Sequence, residues 1–195
     1  MRKFLICCLM ILPLVVVGCS KGPAEAALKA ADEAIAKVKP EAEKFVPDQF
    51  AALTEAAAAA KANFDKGDYA TALTAAKDLP AKAAEVATAA AAKKDELMGQ
   101  WNELSKDVPA KMLDVTEKVN ALAAMKKLPV GVKAEQIDEV KKRLADMNAT
   151  WPKAGEALAA GDIKGALEIG DSVKNAAEWL QNSYDAIMPK SAAKK

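Results

Sequence analysis

The sequence predicts an all-α protein: a six-helix antiparallel bundle built from two similar three-helix units, following an N-terminal leader. Three observations carry this. Ala, Lys, Glu and Leu dominate, and only 5% of the chain is aromatic, a composition that favours helix. Apolar residues recur at three-and-four spacing, the pattern of antiparallel helix pairs. Prolines at positions 23, 40, 47, 80, 109, 129, 152 and 189 punctuate these stripes, several where a first helical turn needs no N–H. No segment reads as a strand.

The leader comes first. Met1-Arg2-Lys3 is charged, and an apolar stretch then runs from Phe4 to Val17, ending in Gly18-Cys19-Ser20. It falls short of the roughly 20 residues of a membrane-spanning helix and has the layout of a secretory signal. Val16-Val17-Gly18-Cys19 resembles the lipobox of bacterial lipoproteins. That resemblance implies cleavage before Cys19, a diacylglyceryl group on its thiol and an acylated new amine. It also implies a periplasmic protein held by lipid. Ser20 stands where Asp would favour inner-membrane retention, so the resemblance points to the outer membrane. Residues 1–18 are then the signal and 19–22 a lipidated tether.

The first three-helix unit is expected over residues 23–107. Its first helix, Pro23 to Phe45, carries Leu28, Ala31, Ile35, Val38, Ala42 and Phe45, with a kink or break expected at Pro40. The second starts near Pro47, carries Phe50, Leu53, Ala57, Ala60 and Phe64, and is stopped by Gly67. The third is capped by Asp68 and passes Pro80 toward Val86, Leu97, Trp101 and Leu104. The second unit is expected over 108–189. Its first helix begins near Pro109 and carries Met112, Val115, Val119 and Leu122, and Leu128 to Val132 reads as a loop. The next helix carries Ile137, Val140, Leu144, Met147, Trp151, Ala154 and Leu158. The last is capped by Asp162, runs through Ile163, Ala166, Gly170, Val173, Ala177, Leu180, Tyr184 and Ile187, and stops at Pro189, leaving 190–195 as a tail.

An internal repeat supports the two units. Phe64-Asp-Lys-Gly-Asp-Tyr-Ala-Thr-Ala-Leu73 returns, offset by 94 positions, as Leu158-Ala-Ala-Gly-Asp-Ile-Lys-Gly-Ala-Leu167. The same offset carries Phe50, Leu53, Ala57 and Ala60 onto Leu144, Met147, Trp151 and Ala154. Downstream it carries Leu79, Ala83 and Val86 onto Val173, Ala177 and Leu180. A match that keeps phase across a turn indicates duplication. The second copy's middle helix gains a heptad through Ile137 and Val140. Gly-Asp-Tyr…Ala-Leu resembles the inter-helix turn of tetratricopeptide repeats, over some ten residues per copy. The period of about 34 residues and the Trp-Leu-Gly pattern of that family are missing.

Composition excludes much chemistry. With no His, there is no imidazole acid–base group, Ser-His-Asp triad or His metal site. Cys7 and Cys8 leave with the signal and Cys19 carries lipid, so no thiol remains for a disulfide, metal or nucleophile. Lys and Arg number 28 against 27 Asp and Glu, and loss of Arg2 and Lys3 leaves acids ahead by one. That balance gives no electrostatic case for nucleic acid. No cofactor, metal or catalytic residue is assigned, and the expected class is a non-catalytic interaction or scaffold protein with an envelope protein partner. The alternative is a carrier or sensor that binds an apolar or glycan ligand between helices. Its site would lie near Trp151 and Trp179, with Arg143 level with Trp179 once the last two helices fold back about Gly161. Pro152 and Gly155 would bend the helix and open that site. The competing reading has Trp101, Trp151 and Trp179 fill gaps in an Ala-rich core.

Overall fold

A computed structural model describes residues 20–129 and 132–188. The leader, Cys19, Val130 and Gly131 of the expected loop, Pro189 and the tail lie outside them. Among the described residues there are five α-helices and no strand: α1 (Lys21–Phe45), α2 (Pro47–Asp65), α3 (Tyr69–Ala123), α4 (Ala134–Ala159) and α5 (Ile163–Ile187).

Five helices replace the expected six because the third and fourth are one. Pro109 was expected to start a helix, yet α3 passes through it and through Pro80. The stripe explains this. Trp101, Leu104, Val108, Val115, Val119 and Leu122 are all buried in unbroken phase on both sides of Pro109. Their burial outweighs an interior proline's cost of about 3 kcal/mol. Pro40 likewise lies inside α1 without ending it, between buried Ala31 and buried Ala42 and Phe45. Helix α1 begins at Lys21, ahead of Pro23, so residues 21 and 22 of the expected tether are helical. Pro23 is tolerated because N–H groups of a first turn have no intrahelical acceptor.

The chain divides into two compact units, one ending at Lys94 and the other beginning at Asp95, ahead of the 107/108 boundary read from sequence. The first holds α1, α2 and the 69–94 part of α3. Lys21 meets Tyr69, and Lys94 meets Glu41 and Phe45, so α1 and α3 run parallel with α2 returning between them. The second unit holds the 95–123 part of α3 with α4 and α5. Trp151 lies level with Gly170 and Arg143 with Trp179, which makes α4 and α5 antiparallel.

The repeat is visible atom by atom at the two turns. Gly67 and Gly161 have φ of 84° and 77°, the left-handed region that a Cβ disfavours. Gly67 N–H donates to the Phe64 carbonyl (2.9 Å) and Asp68 N–H to that of Asn63 (2.9 Å). Gly161 and Asp162 do the same to Leu158 (2.8 Å) and Ala157 (2.8 Å). The next helix is capped alike: Thr71 N–H donates to Asp68 Oδ1 (3.1 Å) and Gly165 N–H to Asp162 Oδ1 (3.0 Å). Burial repeats with the same offset. Phe50/Leu144, Leu53/Met147, Ala60/Ala154, Ala72/Ala166, Leu79/Val173, Ala83/Ala177 and Val86/Leu180 are buried in both copies. The middle helices measure 19 and 26 residues, one heptad apart as the sequence indicated.

Candidate functional site

The three residues singled out for a ligand do not form one site. Folding α5 back on α4 about Gly161 does bring Arg143 to Trp179: the guanidinium carbon lies 4.0 Å from the ring centroid. Glu139, one turn before Arg143 on α4, holds the Arg143 Nε at 3.4 Å. A cation stacked on a half-buried indole and steered by a carboxylate is a packing device as well as a recognition device.

Trp151 is elsewhere. Its ring stacks on buried Trp101, with centroids 5.9 Å apart and planes 14° from parallel. It sits level with Gly170, where a Cβ would fall 3.7 Å from Trp151 and run into Leu104 Cδ2. From Gly170 to Trp179 is about 13 Å along α5 at 1.5 Å per residue. So Trp151 packs, half-buried, against the core of the second unit, beside the space next to Gly170 that Leu104 occupies. Helix α4 continues through Pro152 and Gly155, and no opening forms there by a break.

Arg143 also borders a concave surface. A groove of about 400 Å³ runs between α4 and α5, with Met147, Val173 and Ala176 as its apolar floor. Its rim carries Lys142, Arg143 and Asp146. A second groove of about 430 Å³ lies between α3 and α5 and is lined by polar links. There Lys111 Nζ reaches Asp107 (3.1 Å) and Glu178 (3.3 Å). Lys118 Nζ donates to Asp114 (2.6 Å) and to Gln181 Oε1 (2.7 Å). The hydrogen bond to Asp107 raises the Lys111 ammonium above its ordinary value. Desolvation works against it, and Glu178 adds to it. The sequence reading missed these links. The i,i+4 pairs Asp107/Lys111 and Asp114/Lys118 were the available signal, but their cross-helix partners depend on register.

No buried polar or charged side chain is found among the described residues, and no described helix is long and apolar enough to cross a membrane. Compared with models of known protein families, with curated proteins and with solved structures, the chain matches none.

Proposed function

We propose that this chain is a lipid-anchored, non-catalytic interaction or scaffold protein of the bacterial envelope, tethered at Cys19 in the periplasm, on the outer membrane. The observation that carries the reading is the run Val16-Val17-Gly18-Cys19 directly ahead of a helix. Two things support it further. Apart from the leader's Cys7 and Cys8, Cys19 is the only cysteine, and the sequence has no histidine. The described interior is apolar throughout, which suits a module that presents helical surfaces.

The test is crosslinking of the full-length protein in its native cell, followed by mass spectrometry, beside a Cys19→Ala control. A reproducible protein partner that is lost or relocated in the control is the expected result. Recovery of nothing above an unrelated lipoprotein would count against the scaffold reading.

A carrier role is the second reading, and the groove beside Arg143 is the observation that favours it. Ligand entry there would disturb the cation seated on Trp179 and change indole fluorescence. Wild-type protein whose indole fluorescence does not respond to apolar or glycan ligands would count against that reading.

A further inference from the structure

The start of α1 leaves almost no slack between Cys19 and the folded unit. Ser20, the residue immediately after Cys19, already accepts the first helical hydrogen bond, from Ala24 N–H at 2.9 Å. Ala24 is completely buried, so α1 is packed onto its unit from its first turn. Lys21 Nζ lies 6.0 Å from the Tyr69 ring, which places the α1 start beside the turn between α2 and α3. Phe64 and Tyr69 pack edge to face across that turn, with centroids 5.0 Å apart. A residue spans at most about 3.6 Å of chain, so a lipid on Cys19 holds this end of the unit within a few ångströms of the membrane surface.

We infer that the end of the first unit formed by Lys21 and residues 64–69 is a membrane-contact surface, seated on the phospholipid headgroup layer. The inference rests on the lipid-anchor reading of Cys19 and adds an orientation to it. The chemistry suits a zwitterionic headgroup. Lys21 and Lys66 offer ammonium groups to the phosphate, and Asp65 and Asp68 offer carboxylates to the headgroup amine. The surface has no basic excess of the kind that selects anionic lipid. Tyr69, half-buried beside Phe64, is an aromatic of the type that favours the membrane–water boundary. The opposite end of α2, at Asp48, lies about 27 Å away along that helix at 1.5 Å per residue.

The experiment uses the mature, lipidated protein, freed of the leader that holds Cys7 and Cys8, in vesicles of phosphatidylethanolamine and phosphatidylcholine that contain a nitroxide-headgroup lipid. Ala70→Cys, next to Tyr69, and Asp48→Cys, both at exposed positions, are each labelled with a thiol-reactive fluorophore. A lipidated Cys19 does not react, so each variant carries one dye. Severalfold stronger quenching at position 70 than at 48 is expected. A flexible Gly/Ser segment inserted between Ser20 and Lys21 should reduce that contrast. Equal or reversed quenching on vesicle-bound protein overturns the contact surface while leaving the anchor intact, whereas a contrast unchanged by the insertion supports seating through the side chains of that end alone. Protein that stays off the vesicles and shows a reactive Cys19 thiol overturns the anchor reading itself, and this inference with it.

Discussion

The two units share a turn, a burial register and a helix order, yet they fill their interiors differently. Ala31, Ala42, Ala60 and Ala83 make up half of the first core cluster, beside Phe50, Leu53, Leu79 and Val86. The second cluster uses Ala154, Ala166 and Ala177 among many larger side chains, from Trp101 through Leu122 to Ile187. One backbone plan therefore tolerates two packing regimes. Close approach through alanines serves the first unit, and interlocking bulk, with Gly170 hollowed out for Leu104 and Trp151, serves the second.

The largest expected effect comes from the equivalent pair Val86 and Leu180. Leu180 is fully buried, and Leu180→Ala should destabilise the second unit by about 3 kcal/mol. Val86→Ala should cost the first unit only about 1.5 kcal/mol, since fewer carbons leave a thinner core. Urea unfolding of both variants checks this, and equal losses would erase the contrast in packing. Next is Gly170→Ala, whose new methyl would collide with Leu104 where the first unit carries Ala76 at the matching position. Overpacking should exceed the gain in helix propensity and leave a net loss of about 1 kcal/mol. A more stable Gly170→Ala protein would show that the second core has room to spare.

Gly67→Ala and Gly161→Ala should each lose about 1 kcal/mol, because both positions hold positive φ. Clearly unequal losses in thermal melts would mean that the turns are alike in geometry but not in energy. The smallest effect concerns acid. The hydrogen bonds from Thr71, side chain first and then backbone, hold the Asp68 carboxyl below its ordinary value of 3.8. A lowered folded-state value means that its contribution is fully present above the unfolded value and fades as pH falls through the folded one. Asp68→Asn should therefore flatten the acid limb of the stability curve slightly. An unchanged limb would show that the cap acts without its charge.

Much of this was legible from sequence because the duplicated elements are local. A glycine, an aspartate and a stripe in phase define each hairpin, and Arg143 meets Trp179 because a tight turn leaves α4 and α5 little choice of register. The course of α3 was not legible in the same way. At Pro109 a helix-start signal competed with an uninterrupted stripe, Leu104, Val108, Val115 and Val119, and the stripe won. The stack of Trp151 on Trp101 was hidden for a different reason. It depends on the register of α3 against α4, which are joined by a longer connection than the tight turn between α4 and α5.

The alanine-built interior has a thermal consequence. The rise in heat capacity on unfolding grows with the apolar area newly wetted, by about 0.45 cal/mol/K for each Å². Alanines bury little such area, so the first unit should unfold with a small heat-capacity change and a shallow stability curve. Cooling and moderate warming would then alter its stability less than that of its bulkier twin.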